Sequence, residues 1–194
     1  LIVPIGQFVM KQALGFLAQW QSADQQQYTI AVNLSPRQFR DAGLLNFIKQ
    51  SLSESNISSK YLELEITEGV LMSGQSYIHH ALEQINELGI KLSMDDFGTG
   101  YSSLSYLRQY PFDVLKIDRS FINGITSNKA DYNLVKATIA MSHSLGLTVI
   151  AEGVETAEQL QVLNKLKCDF IQGYYFSKPI PAMQLLEFSA RYYL

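Results

Sequence analysis

The sequence predicts an α/β fold, a parallel (β/α) barrel of TIM type with six of its eight strands carried by this chain. Three observations lead there. Apolar runs of strand length alternate with amphipathic stretches: a leading helix, then six strand-to-helix units. Strand starts fall about 20 to 35 residues apart, the size of a βα unit in a parallel sheet. The informative polar residues, Asn33, Glu65, Asp95, Asp96, Lys116, Glu152 and Gln172, gather toward the C-terminal ends of those runs. In a barrel all such ends open on one mouth, where barrels do chemistry. An open doubly wound sheet would bring only two or three of them to its switch point. The two remaining strands are expected upstream of Leu1, since an open barrel leaves two unpaired edges. The reading is one domain, residues 1–194, lacking its first two strands.

The elements follow in order. Residues 5–20 carry Ile5, Phe8, Val9, Ala13, Phe16, Leu17 and Trp20 at spacings of three and four, which predicts a helix with one buried face. Residues 28–34, Y-T-I-A-V-N-L, read as a buried strand. Ser35 and Pro36 then offer an N-cap and a first-turn proline for a helix using Phe39, Leu44, Leu45, Ile48 and Leu52. The second strand, 61–67, alternates: Leu62, Leu64 and Ile66 on one face, Glu63, Glu65 and Thr67 on the other, as in a strand with one wet face. A helix over 77–88 stops at Gly89. Its His79 and His80 lie about 100° apart as helix neighbours and cannot chelate one metal. The third strand, 90–96, runs into Asp95 and Asp96, and a short helix through Leu104 and Leu107 ends before Pro111. The fourth, 112–118, puts Lys116 in mid-strand on the face opposite Leu115 and Ile117. A helix over 131–145 ends at Gly146, and the fifth strand, 147–152, ends in Glu152. Thr156 to Gln159 has the form of a capping box. The sixth strand, 169–175, carries Gln172, and Pro179 and Pro181 lead into a last helix over 182–193.

Composition narrows the function classes. With 194 residues and 47% hydrophobic content the chain is globular, not disordered. A net charge of −3 gives no basic field for a long nucleic acid, so an anionic ligand must be held by something else, such as a bound cation. A single cysteine, Cys168, rules out an internal disulfide framework and suits a reducing compartment, which makes the expected location cytoplasmic. No run approaches the roughly 18 apolar residues of a membrane span, and the opening L-I-V-P-I lacks the features of a signal peptide.

The chemistry centres on residues 94–107, M-D-D-F-G-T-G-Y-S-S-L-S-Y-L. Successive strand side chains point to opposite faces, so Asp95 and Asp96 reach one site only where the backbone turns. Gly98 and Gly100 permit that turn. Alone, the string also suits a strand-end turn whose aspartates cap the next helix. Joined by Asn33, Glu65 and Glu152, the aspartates make a set of hard oxygen donors. Such a set suits two Mg²⁺ or Mn²⁺ ions, with Ca²⁺ as an occupant that need not support turnover. It does not suit zinc. Asp95 can bridge the ions, Asp96 can hold the second, Asn33 and Glu65 complete the first, and Glu152 reaches the site directly or through water. Such a pair activates a water and stabilises both oxygens of a displacement at phosphorus. Lys116 either orients that water and neutralises charge on phosphate, or is an ion pair with Asp95 or Glu152. Two rival chemistries remain. One is a Schiff-base lysine, opposed by carboxylates that keep the amine protonated. The other is an enolase-like site, one Mg²⁺ with a lysine base.

Six ordered motifs carry a resemblance: V-N-L-S at 32–35, E-I-T-E at 65–68, D-D-F-G-T-G-Y-S-S-L at 95–104, L-K-I-D at 115–118, A-E-G-V-E-T at 151–156 and Q-G-Y at 172–174. The chain resembles the EAL-domain family, phosphodiesterases acting on cyclic di-GMP. The resemblance implies Asn33, Glu65, Asp95 and Asp96 as metal ligands, with Lys116 and Glu152 positioning or deprotonating the attacking water. It implies that Glu68 anchors the D-D-F-G-T-G loop, which in the family also forms a dimer contact, and hence a homodimer through the loop after Asp96. Gln172 resembles a residue behind the ligands or on the substrate side, with a core amide as the alternative. The implied reaction opens cyclic di-GMP at one phosphodiester to give linear pGpG. An upstream regulatory or GGDEF-type domain is an implied partner. Two departures stand out: the E-A-L tripeptide, whose glutamate is a further ligand, and a phosphate-binding arginine shortly after it both belong before Leu1. Gly69 also stands where the family often has a small hydroxyl or amide residue. The competing class is an EAL-type receptor or protein-interaction module that does not cut its ligand. Such receptors carry damage in the loop, the acids or the lysine, and those positions are intact here.

Overall fold

A computed structural model describes residues 1–24, 27–71, 76–98 and 104–190. The strands are β1 (Ile30–Asn33), β2 (Leu62–Thr67), β3 (Lys91–Phe97), β4 (Val114–Ile117), β5 (Thr148–Ala151) and β6 (Phe170–Ile171). They form one sheet in the order β1-β2-β3-β4-β5-β6, each pair of neighbours parallel. Parallel neighbours in strict sequence order, joined through helices, are the connectivity of a (β/α) barrel. The sheet curls into a half-barrel, as the sequence predicts. The helices are α1 (Ile2–Asp24), α2 (Leu44–Ser55), α3 (Glu68–Leu71), α4 (Ser76–Glu87), α5 (Leu104–Gln109), α6 (Arg119–Asn123), α7 (Lys129–Ser144), α8 (Ala157–Lys165) and α9 (Ala182–Ser189).

The register explains how one sheet separates core from chemistry. Val32 pairs with Leu64, Leu64 with Leu92, Met94 with Leu115, and Leu115 with Val149. Paired residues share a face, so these side chains form one continuous apolar band, fully buried under the helices. Burying each such side chain contributes about 1.5–3 kcal/mol. Asn33 pairs with Glu65, Thr67 with Asp95, and Lys116 with Ile150, which assigns the polar set to the opposite, concave face. Local signals close the elements as the sequence predicts. Gly89 and Gly146 take positive φ behind α4 and α7. Thr156 and Gln159 complete the capping box of α8.

Several expectations are corrected. The stripe of α1 that packs inward is Met10, Leu14 and Leu17, while Ile5, Phe8 and Val9 are exposed. The helix is apolar on more than one side, so spacing alone selects no unique face. Ser35 and Pro36 do not start a helix. Ser35 donates its N–H and its hydroxyl to Gln38 Oε1, at 3.0 and 2.9 Å, shaping a turn and a 3-10 segment (Gln38–Arg40). α2 begins only after Gly43. β2 has no wet face: Glu63 and Glu65 are 7% and 9% exposed because the sheet curls over them. β6 is two residues, not seven. The loop beyond Gly98, and the chain past Ala190 where the last helix was expected to continue, lie outside the described residues.

Candidate active site

Four adjacent strands deliver their C-terminal residues to one point. Lys116 Nζ is at its centre, 2.6 Å from Glu65 Oε1, 2.7 Å from Glu152 Oε1 and 3.1 Å from Asp95 Oδ1. Asn33 Nδ2 donates to Glu65 Oε2 at 3.1 Å, which ties β1 to the same cluster. Carboxylate oxygens of Asp95, Asp96 and Glu152 lie within 4.8 Å of one another. The structure therefore brings together six of the residues singled out by sequence: Asn33, Glu65, Asp95, Asp96, Lys116 and Glu152.

The convergence of Asp95 and Asp96 has a different cause from the one the sequence suggests. Asp96 itself takes the left-handed conformation, φ 56°, and the β3–β4 register shifts between Met94 and Phe97. The turn is made inside the acidic pair, before the glycines are reached. Aspartate tolerates this region better than most side chains. The Asp96 N–H then donates to Asp95 Oδ1 at 3.1 Å, which fixes the first carboxylate.

The electrostatics are lopsided. Burial works against the Lys116 charge, but hydrogen bonds and attraction from Glu152 and Glu65 outweigh it and raise its pKa. A Schiff-base role needs the neutral amine, so the pairing argues against it. Burial pushes the Glu152 carboxyl up, against the pull of Lys116. Asp96 is raised by burial and then by the charges of Asp95 and Asp118. Glu63, one strand repeat behind Glu65 on the same face, is raised by burial too. Among the described residues, Lys116 is thus one ammonium facing five carboxylates: Glu63, Glu65, Asp95, Asp96 and Glu152. Buried negative charge of that size is costly unless cations meet it. The donor set is all oxygen, converges on one point and carries excess charge, and these residues fit hard divalent cations.

A cleft of about 650 Å³ opens beside this cluster, from Asp96 and Glu152 toward Arg119, Glu155, Tyr174 and Lys178. Gln172 lines it and is exposed. Glu68 is 4% exposed at the start of α3; the loop it is expected to anchor lies outside the described residues. Sequence reasoning missed Glu63, Arg119, Glu155, Tyr174 and Lys178. The E-x-E alternation of β2 and the second glutamate of A-E-G-V-E were the available signals; nothing local marked Lys178.

These features define a class, an α/β barrel domain with an acidic, all-oxygen centre at its mouth. The EAL domain profile matches residues 1–179, and the chain belongs to the EAL domain family. It is 41% identical over 192 residues to the cyclic di-GMP phosphodiesterase NbdA of Pseudomonas aeruginosa, covering 99% of this chain and 24% of that protein. It is likewise 41% identical over 186 residues to the bifunctional diguanylate cyclase/cyclic di-GMP phosphodiesterase MucR of the same species, covering 96% and 27%. The solved phosphodiesterase of PaMucR in complex with c-di-GMP superposes with a TM-score of 0.90 at 40% identity, covering 95% of this chain and 74% of that one. A manganese and cyclic di-GMP complex of Klebsiella pneumoniae BlrP1 matches at TM-score 0.84 and 26% identity, covering 91% and 45%. The chain spans about a quarter of the length of the curated relatives it matches. Among the described residues, no helix is long and apolar enough to cross a membrane.

Proposed function

We propose that this domain hydrolyses one phosphodiester bond of cyclic di-GMP to give linear pGpG, using Mg²⁺ or Mn²⁺, two ions per site. The observation that carries the reading is the convergence of Glu65, Asp95, Asp96 and Glu152 around Lys116 in a member of the EAL family. Asn33, Glu65, Asp95 and Asp96 would hold the ions, and the upstream E-A-L glutamate would add a ligand. Bound ions of this kind acidify water and neutralise charge on phosphate. The protein's own residues do the rest. Lys116, held as the ammonium, orients the attacking water and offsets the charge gathering on the phosphate oxygens. Glu152, its basicity raised by burial, accepts the water's proton. The water oxygen bonds to phosphorus, the ester P–O bond breaks, and the departing oxygen takes a proton. Gln172 lines the cleft on the substrate side, and Glu68 anchors the loop after Asp96.

Further proposals concern the whole protein. The domain is completed by two strands upstream of Leu1, and a regulatory or GGDEF-type domain precedes them, in the cytoplasm. The loop after Asp96 joins two copies. Supporting this, an apolar hollow of about 540 Å³ between Phe97, Phe121, Leu134 and Met141 adjoins the start of that loop.

The test is turnover of cyclic di-GMP by the full-length protein with Mn²⁺, with products separated by chromatography. Mn²⁺-dependent release of pGpG is expected. Tight cyclic di-GMP binding without any product would make the domain a receptor instead.

A further inference from the structure

The loop after β5 and the turn after β6 are joined beyond the ends of their strands. β5 and β6 pair at only two registers, Ile150 with Phe170 and Ala151 with Ile171. The ladder is then extended. The Gln172 N–H donates to Ala151 O at 2.8 Å, Val154 N–H to Gln172 O at 3.1 Å, and Tyr175 N–H to Val154 O at 2.9 Å. At Gly173 the two backbones approach so closely that a Cβ would fall inside contact distance of Val154 N, C and O. On the other side of the same loop, Gly153, at φ +70°, lies against Cβ and Cα of Arg119. Residues 152–155 are therefore wedged between α6 and the β6 turn. The first of them, Glu152, donates its N–H to Ile117 O at 3.1 Å and places its carboxylate 2.7 Å from Lys116.

The geometry points to Gly173 as a positioning residue: its missing side chain lets the β6 turn clamp the β5 loop, and the clamp holds Glu152 in place beside Lys116 and Gln172 in the wall of the cleft. The contact at Gly173 is with backbone and cannot be relieved by a rotamer change. At Gly98, by contrast, the nearest atoms to an added Cβ among the described residues belong to the side chain of Phe121. Restoring normal contact at Val154 moves the loop by about 1 Å, a displacement that costs on the order of 10²-fold in rate when it reaches a catalytic group.

The inference rests on the phosphodiesterase reading, and its test separates the two. Gly173→Ala is made in the full-length protein, with Gly146→Ala as control. Gly146 has φ +78° and nothing within 4 Å of its would-be Cβ, so the control strains the backbone between α7 and β5 without touching the mouth. Three quantities are read: Mn²⁺ dissociation constant by calorimetry, amide exchange at Val154 and Tyr175, and kcat and KM for cyclic di-GMP per folded molecule. For Gly173→Ala the expected results are a Mn²⁺ dissociation constant raised about tenfold, loss of protection at both amides, and kcat about 10²-fold lower with a smaller change in KM. Gly146→Ala is expected to lower the melting temperature and leave all three unchanged. A Gly173→Ala protein with wild-type Mn²⁺ affinity and protected amides overturns the inference, as does a Gly146→Ala protein with the same defects. A wild type that binds Mn²⁺ but cuts nothing sinks the phosphodiesterase reading alone, and the clamp is then judged on affinity and exchange. A wild type that binds no Mn²⁺ overturns both.

Discussion

Removing the Lys116 ammonium leaves Glu65, Asp95 and Glu152 facing one another in a site from which water is largely excluded. Breaking a buried pair in this way costs about 3–5 kcal/mol, less whatever the orphaned carboxylates recover by taking up protons. Lys116→Ala is therefore expected to abolish turnover and also to lower the melting temperature, with Mn²⁺ restoring part of the latter. Thermal melts with and without the metal check this; an unchanged melting temperature would contradict the central ion cluster. Asp96 gives a second case. Its left-handed backbone suits Asp and Asn, so Asp96→Asn should melt close to wild type, while Asp96→Ala loses a further 1–2 kcal/mol or so. Both should weaken Mn²⁺ binding in calorimetry. Lys116 and Glu65 were legible in the sequence because strand alternation fixes their face. The conformation of Asp96 was not, since left-handed backbone carries little sequence signal outside glycine. Glu63 was visible in the alternation but unrecognised, because its burial depends on how far the sheet curls.

Among the elements, α8 shows where local signals suffice. The Thr156 hydroxyl accepts from the Gln159 N–H at 3.2 Å, as the four-residue string predicts. Gln159 Oε1 accepts from Thr156 N–H at 3.0 Å to complete the box, and does more than the motif implies: it also accepts from Glu155 N–H at 2.8 Å, and Nε2 donates to Ile122 O at 3.2 Å. Thr156→Ala removes one cap and should cost about 1 kcal/mol. Gln159→Leu leaves the Glu155 and Thr156 N–H groups unserved, each worth on the order of 1 kcal/mol or more when buried, and removes one of the donors to Ile122 O, so it should cost clearly more. Urea denaturation of the two variants ranks them, and equal losses would mean that the Gln159 side-chain bonds carry nothing. Ser35 and Pro36 show the opposite outcome. They read as a helix start, yet Gln38 captures the Ser35 N–H and hydroxyl and turns the chain first. A competing side chain three residues on decided it, which no propensity scale registers.

For the whole molecule, the barrel is legible from periodicity and from where polar residues stop each strand, because both follow from the pleat and from parallel connectivity. Its charge balance gives a pH prediction. Burial raises the Glu152 and Asp96 carboxyls, so the folded protein holds these protons to higher pH than the unfolded chain. The folded state then binds more protons across that window, and these two groups destabilise the metal-free protein as pH rises through it. Mn²⁺ must displace the same protons, so its stabilising effect should grow as pH rises above the ordinary carboxylate range. A gain in melting temperature that shrank over that rise would refute the charge assignment. The sheet's open side gives the last prediction. Phe170 shares the concave face with Ile150 and Lys116 through the register, yet it is 62% exposed, and Ala31 and Asn33 on β1 are exposed as well. The two edges of the half-barrel thus present side chains of the face that a closed barrel buries. If the upstream strands close it, Phe170 becomes core. Phe170→Ala should then be nearly neutral in a protein comprising residues 1–194, because exposed apolar groups contribute little. In a protein extended upstream by two strands it should cost about 3 kcal/mol, in the range for emptying a buried aromatic site. The denaturant slope should rise together with that extension, since m follows the surface buried on folding. Equal costs for Phe170→Ala in the short and extended proteins would mean that the added strands do not pack against this edge, and the closed barrel would have to be abandoned.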